Sequence, residues 1–414
     1  MSRLECRLGL VAGDAGPQRR SEHDKLEGGP QRLRARGAWH SLMDRRSYAA
    51  NSAAEDRQQN GKLSYGRFRL GPGADSTGHK PWCGAMGVLV CFHDRCFDGV
   101  GSAALFTRFY RQCVDPKAEF RYHGLVHRAG QLFDEGLFDD QENVIVDFKY
   151  SSSDRLTWWF DHHQSAFLTE ADAEHFRHDR SGKKFYGPDY RSCTKFIVDT
   201  CREKFGFRAP ELDELVYWAD LIDGAQYPDT RTAVEMRDPP TQLTLVIEGT
   251  TDPQFSVRLI PRLISQSLGE IMEIPEVRQT FERLYAVHLK TVEIIRSRGE
   301  LKDGVLFFDL SDRNSEGFNK FIPYYLFPGA VYSVALSRSE ARIKIGVGSN
   351  PWNATPKTAN LASICERYGG GGHAKVAAIS LPPADLDRGR NISAEIVDGL
   401  RAGLAEGQGL GIRG

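Results

Sequence analysis

Apolar and polar positions follow two regimes along this chain. From Met86 onward, short unbroken apolar runs alternate with stretches of helical periodicity. Gly87 to Phe92 is such a run and predicts a strand buried on both faces, as parallel strands are. Asn143 to Phe148 predicts a second strand, ending on polar chemistry, and Leu156 to Phe160 a third. Helices are predicted from Gly101 to about Cys113, from Ser192 to Phe205 and from Glu211 to Ile222. Strands alternating with helices imply an α/β fold, a parallel sheet with helices on both faces. Further on, Phe281, Leu284, Tyr285, His288, Leu289, Val292 and Ile295 recur at helical spacing. They predict one long amphipathic helix connecting two domains, with His288 as a packing residue in its apolar stripe. Strands return at Val305 to Leu310, Val331 to Leu336 and Ala341 to Val347, and a closing helix is expected near Ile392 to Leu404. This second α/β domain is the smaller one.

Residues 1–85 read differently. They are rich in Arg, Gly, Ser and Gln, and segments such as Gln31-Arg32-Leu33-Arg34-Ala35-Arg36 offer little to bury. A disordered extension is the expectation. A basic nucleic-acid arm or a targeting peptide is disfavoured, because acidic residues interrupt the basic ones. Translation starting at Met86 is an alternative. The expected division is therefore 1–85 extension, 86–250 first domain, 251–300 helical connector and 301–414 second domain.

Composition changes this picture little. The 414 residues carry a formal net charge of −1, so no global basic field points to long nucleic acid. The apolar runs are far shorter than the ~20 residues of a membrane span. Eight cysteines stand singly without a C-x-x-C pair, which suggests reduced thiols in a cytoplasm and argues against a structural zinc site.

The candidate chemistry lies just past the predicted strands. His93-Asp94-Arg95-Cys96-Phe97-Asp98-Gly99 follows the first, Asp147 ends the second, and Asp161-His162-His163 follows the third. In open parallel sheets the ligand crevice lies at that edge, so the fold converges these groups whatever their separation in sequence. Several carboxylates gathered in one place repel one another and call for a cation. Oxygen ligands mixed with imidazoles suit Mn²⁺ or a related divalent ion. A strand-end aspartate can also be a helix cap, and a histidine pair a surface accident; the ordered set is what points to a site. In the second domain, Gly369-Gly370-Gly371-Gly372-His373 could let backbone N–H groups approach an anion closely.

Taken in order, His93, Asp98-Gly99-Val100-Gly101-Ser102, Asp147, Asp161-His162-His163 and the late Gly369–His373 segment before Ala377-Ala378 resemble the DHH phosphoesterase superfamily. The resemblance is to the branch with a C-terminal DHH-associated domain, which includes oligoribonucleases and phosphatases of 3′-phosphoadenosine 5′-phosphate. It runs from about residue 87 to about 382. It implies a DHH catalytic domain over 86–250, a DHH-associated substrate-binding domain over 301–414, and two Mn²⁺ ions, with Mg²⁺ or Co²⁺ as substitutes, that clamp a phosphate and activate a water. Carried over by position, Asp98 and His162 would bind one metal, Asp147 would bridge both, and His93 would face the other. Asp94 would stand at the earlier acid position. Asp161 would orient His162, and His163 would lie near the scissile phosphate. Asp220 is expected to supply a fourth acid, with Asp223 its rival. Gly370, Gly371, Gly372, His373 and Ser349 would hold the substrate.

The chain departs from the family pattern twice. Cys96 stands where an aspartate is common, and a thiolate favours softer ions than Mn²⁺. Gly348-Ser349-Asn350 lacks a preceding arginine, which leaves Lys344, Arg342 and Lys375 to replace that phosphate contact. The resemblance implies a metal-dependent phosphoesterase hydrolysing short oligonucleotides or small nucleotides, without membrane attachment, and a homodimer is one assembly open to it. The alternative is a catalytically weakened nucleotide-binding or regulatory protein on the same fold.

Overall fold

The computed structural model describes residues 86–127, 133–134, 136–314 and 317–409. The expected N-terminal extension lies outside the described residues.

The first sheet is built from β1 (Gly87–His93), β2 (Glu119–Leu125), β3 (Glu142–Val146), β4 (Trp158–Asp161) and β5 (Lys184–Tyr186), with α1 (Phe97–Cys113) crossing from β1 to β2. All four pairings are parallel, in the order β2-β1-β3-β4-β5. The unbroken apolar runs have a direct cause. Val88, Val90 and Phe92 enter one core while Leu89 and Cys91 enter another on the opposite face. Trp158 and Phe160 do the same against Trp159. One face is covered by α1 together with α3 (Cys193–Phe205) and α4 (Asp213–Asp223). The other is covered mainly by loop residues such as Phe148, Tyr150, Leu156 and Ala166, with the short α2 (Glu170–His178) contributing Phe176. Helices on both faces was therefore half the picture: loops do most of the covering on the second face.

Chain order matters for the site. From β1 the chain first crosses to β2 on one side, then returns to β3 on the other. The β1/β3 boundary is thus a switch point, where the two connections diverge and leave a crevice at the carboxyl ends of the strands.

A run of helices follows: α5 (Thr230–Glu235), α6 (Pro239–Gly249), α7 (Phe255–Leu263), α8 (Leu268–Met272) and the 24-residue α9 (Pro275–Arg298). The apolar residues of α6, α7 and α8, including Leu243, Leu259 and Ile271, pack into the same core as α1. In α9, His288 is buried and its Nε2–H donates to the Val234 carbonyl at 2.8 Å.

The second sheet comprises β6 (Glu300–Lys302), β7 (Val305–Asn314), β8 (Tyr332–Arg338), β9 (Ile343–Ser349), β10 (Gly371–His373) and β11 (Val376–Leu381), ordered β10-β11-β9-β8-β7-β6. It is mixed: β7 and β8 run parallel and the other pairs antiparallel. Residues of α11 (Leu361–Glu366) and α12 (Leu386–Gly409) share one core with it, and α10 (Ile322–Leu326) shares the other with Val292 and Ile295 of α9 and Val234 of α5. Among the described residues, no helix is long and apolar enough to cross a membrane.

Candidate metal centre

Each element delivers its side chain to the switch point for a local reason. β1 ends at His93, and the chain turns through Arg95, whose backbone is left-handed at φ +54°. Cys96 then occupies the N-cap of α1 without capping it through its side chain. Asp98 follows in the first turn. Gly99 lets this turn close on β1, since an added Cβ would lie 2.1 Å from the His93 carbonyl oxygen. Asp147 also adopts a left-handed backbone, φ +56°, and its N–H donates to the Phe160 carbonyl at 2.9 Å. A non-glycine residue in that region costs on the order of 1 kcal/mol, which neighbouring structure must offset.

The side chains converge on Asp147, which is 1 % exposed. Its Oδ2 lies 3.4 Å from His93 Nδ1, and its Oδ1 lies 3.4 Å from His162 Nε2 and 3.8 Å from His163 Nδ1. His162 Nε2 also lies 3.4 Å from Asp223 Oδ2 and 3.7 Å from Asp98 Oδ2. Three overlapping ligand groups result: His93 with Cys96 and Asp147; Asp147 with His162 and His163; and Asp98 with His162 and Asp223. Within each, the donor atoms lie within 4.8 Å of one another.

Hydrogen bonds around the cluster point its donors inward. His162 Nδ1–H donates to the Tyr190 carbonyl at 3.0 Å, which leaves Nε2 as the ring nitrogen facing the acids. The backbone N–H groups of Cys193 and Thr194, at the start of α3, donate to Asp98 Oδ2 and Oδ1 at 2.6 and 2.9 Å. By contrast, both oxygens of Asp147, His162 Nε2 and His93 Nδ1 are buried without a hydrogen-bond partner. Buried polar atoms are ordinarily satisfied. Four unsatisfied atoms facing one another, all of them metal-ligand types, fit a bound divalent cation.

The charges lead to the same conclusion. Burial, then repulsion from Asp147 and Asp223, pushes Asp98 well above the usual carboxylate range. The same two causes, burial and then Asp147, raise Asp223 to about 6. Burial alone would lower His162, yet the adjacent carboxylates of Asp147 and Asp98 raise it to about 10. Burial would raise Asp147, but His162 and His93 hold it below its ordinary value. Burial, then Asp147, raises the Cys96 thiol. Protein cations alone do not balance these carboxylates, whereas a divalent ion would.

Several expected positions differ. Asp223, not Asp220, faces His162; Asp220 Oδ1 accepts from Ser192 Oγ at 3.3 Å. Asp223 lies about 4.5 Å further along the axis of α4, towards the cluster. Asp161 orients the other histidine: its Oδ1 accepts from His163 Nδ1 at 2.7 Å and from the N–H groups of His162 and His163 at 2.8 and 3.2 Å. Asp94 is outside the ligand groups, its Oδ1 accepting from Ser256 Oγ at 2.6 Å and from the Arg95 N–H at 2.8 Å. The left-handed turn at Arg95 directs it over Gly124 of β2 and brings Cys96 to His93 instead.

In the second sheet, Gly371, Gly372 and His373 form β10 at the edge, paired with β11. Gly370 and Gly372 approach their partner strand so closely that a Cβ would lie 2.4 Å from the Ala378 carbonyl and 2.6 Å from Ala377 Cα. These two glycines therefore have a packing role. His373 is exposed, and Ser349 Oγ donates to the Lys375 carbonyl at 3.1 Å. Arg342 donates to Ser380 Oγ at 3.3 Å, and Lys344 is half-buried.

One neighbour of the cluster carries no motif. The His127 ring lies 4.9 Å from that of His93 and stacks on Phe148 at 4.7 Å. It stands two residues past the end of β2, so the strand-end rule would have found it had β2 been recognised.

Comparison of the sequence with protein-family models finds no match, and comparison with curated proteins finds none either. Solved structures do match. The pGpG-specific phosphodiesterase PggH from Vibrio cholerae aligns at TM-score 0.54 and 19 % identity, covering 76 % of this chain and 99 % of that one. RecJ in complex with Mn²⁺ from Thermus thermophilus aligns at TM-score 0.46 and 12 % identity over 78 % of this chain, which spans 52 % of that protein. An exonuclease RecJ bound to manganese aligns at TM-score 0.45 and 11 % identity, covering 76 % of this chain and 90 % of that one. At these identities the likeness is one of fold, and the alignment to PggH carries it: the chain shares that protein's fold, here a parallel five-stranded sheet followed by a second sheet domain.

Proposed function

We propose that this chain is a metal-dependent phosphoesterase that hydrolyses phosphoester bonds in short oligonucleotides or small nucleotides. One observation carries the reading: the buried carboxylate of Asp147, at the switch point of the sheet, has both oxygens unsatisfied between His93 and His162. Asp98, His162 and Asp223 would hold one cation and His93 another, with Asp147 shared between them. The oxygen and imidazole donors of the first group suit Mn²⁺. Bound there, divalent cations supply positive charge to phosphoryl oxygens and lower the pKa of water.

The protein's own groups have distinct tasks. Asp98 is held by the start of α3 and so fixes α1 against that helix. Tyr190 sets the tautomer of His162. His163 is 35 % exposed, with Nδ1 committed to Asp161, so Nε2 can face a substrate. Burial opposes protonation of His163, but Asp161 and Asp147 outweigh it and raise its pKa, favouring a form that donates to a phosphoryl oxygen. The second sheet, with Gly370–His373 and Ser349, would hold the far end of the substrate. A substrate of dinucleotide size agrees with the near-neutral charge and with the pGpG specificity of the protein whose fold it shares.

The test is a panel offered to the purified protein with Mn²⁺: linear dinucleotides, longer oligonucleotides, cyclic dinucleotides, 3′-phosphoadenosine 5′-phosphate and pyrophosphate. Hydrolysis of a linear dinucleotide is expected, and D147N should lower it by more than about 100-fold, beyond the usual cost of losing a supporting residue. Activity retained by D147N refutes the assignment.

A further inference from the structure

We propose that Cys96 is itself a metal ligand, completing a His93–Cys96–Asp147 site that takes a borderline cation such as Zn²⁺ or Co²⁺ in preference to Mn²⁺ or Mg²⁺. The inference rests on the metal-dependent reading above and deepens it.

The three donors, a thiol sulfur, an imidazole nitrogen and a carboxylate oxygen, lie within 4.8 Å of one another. Around a small tetrahedral ion such donors sit about 3.3–3.8 Å apart, so modest side-chain rotation closes the set. Two of them already lack a hydrogen-bond partner: Asp147 Oδ2, on a side chain 1 % exposed, and His93 Nδ1, 3.4 Å away. Cys96 has the Gly99 backbone N–H beside its sulfur but forms no disulfide. It is a free thiol, and although it holds the N-cap of the 17-residue α1 it makes no side-chain cap. Its place is set by the backbone, because the left-handed turn at Arg95 carries Asp94 away to Ser256 and leaves the sulfur beside His93.

The consequence is an asymmetric pair of sites. The group made of Asp98, His162 and Asp223 offers only oxygen and nitrogen. The group at Cys96 offers sulfur as well. Thiolates select zinc-like ions, whereas carboxylates and water suit manganese and magnesium. Asp147 would join a softer position to a harder one, and the two would load with different metals from a mixed supply. A metal screen limited to Mn²⁺ and Mg²⁺ would then understate the activity.

Cobalt reports on this directly, because a thiolate bound to Co²⁺ gives a charge-transfer absorption in the near ultraviolet, while oxygen and nitrogen ligands do not. The full chain is stripped with a chelator and titrated with Co²⁺, with C96S, C96D and D147N in parallel and far-ultraviolet circular dichroism to confirm folding. The wild type should show the near-ultraviolet band together with visible ligand-field bands. C96S and C96D should keep visible bands and lose the ultraviolet one. In competition titrations C96D should shift preference from Zn²⁺ towards Mn²⁺ by at least about tenfold. Visible bands without the ultraviolet band in the wild type, or an ultraviolet band that persists in folded C96S, overturns the assignment of Cys96 while leaving the metal site standing. Failure of the wild type to bind Co²⁺ better than D147N overturns both readings.

Discussion

Replacing Asp223 with asparagine separates the electrostatics of the cluster from the metal-holding role proposed for it. The carboxylate is 28 % exposed, and its Oδ2 lies 3.4 Å from His162 Nε2. Burial, followed by the charge of Asp147, raises it from 3.8 to about 6. A folded-state value above the unfolded one means that ionising Asp223 costs stability. The contribution is fully present below 3.8 and is lost as pH rises through about 6. The difference of about 2 pH units corresponds to about 3 kcal/mol. Screening by water at this partly exposed group brings the expected effect nearer to about 2 kcal/mol. Chelator-treated D223N should therefore be about 2 kcal/mol more stable than the wild type at about pH 7.5 and nearly equal to it at about pH 4. With saturating Mn²⁺ the order should reverse. The wild type keeps a ligand and gains about 2.7 kcal/mol at a hundredfold excess over the dissociation constant, whereas the weaker-binding variant gains less. Urea unfolding followed by tryptophan fluorescence reads all three conditions, since Trp158 and Trp159 lie buried in the first sheet. Superimposable curves in chelator at about pH 7.5, or a wild type that is the more stable there, would refute the reasoning.

Three further outcomes concern the second sheet and α9. Gly372 has φ +147° and no room for a Cβ, so G372A should lower stability by about 1–3 kcal/mol in thermal melts. At Gly371 a Cβ meets nothing within 4 Å, so G371A should change stability by less than about 0.5 kcal/mol, yet weaken nucleotide binding by calorimetry if this edge approaches phosphate; unchanged binding removes Gly371 from the substrate surface. Burial lowers the pKa of His288 despite its bond to Val234, so its contribution is present above 6.5 and lost as pH falls through the folded value. Metal-loaded wild type should lose stability between about pH 7 and pH 5 that H288Q does not, read by melting temperature.

Local pattern was enough to locate much of the candidate site. His93, Asp147 and Asp161-His162-His163 each end an apolar run, and parallel strands gather such ends at one edge. The same logic missed β2, where Glu119, Arg121 and His123 alternate with half-buried aromatics because it is an edge strand, and β5, which is three residues long. His127 was lost with β2. What pattern could not reach were choices made between elements distant in the chain. Asp220 and Asp223 share one helix, and its placement against His162 decides between them. Asp94 and Cys96 share one turn, and the backbone at Arg95 together with Ser256, 162 residues away from Asp94, decides which faces His93. The tautomer of His162 depends on the Tyr190 carbonyl, and the partner of Asp161 proves to be His163. Periodicity along a chain reports which face of an element is buried. It carries no distance between elements, and ligand geometry is made of such distances.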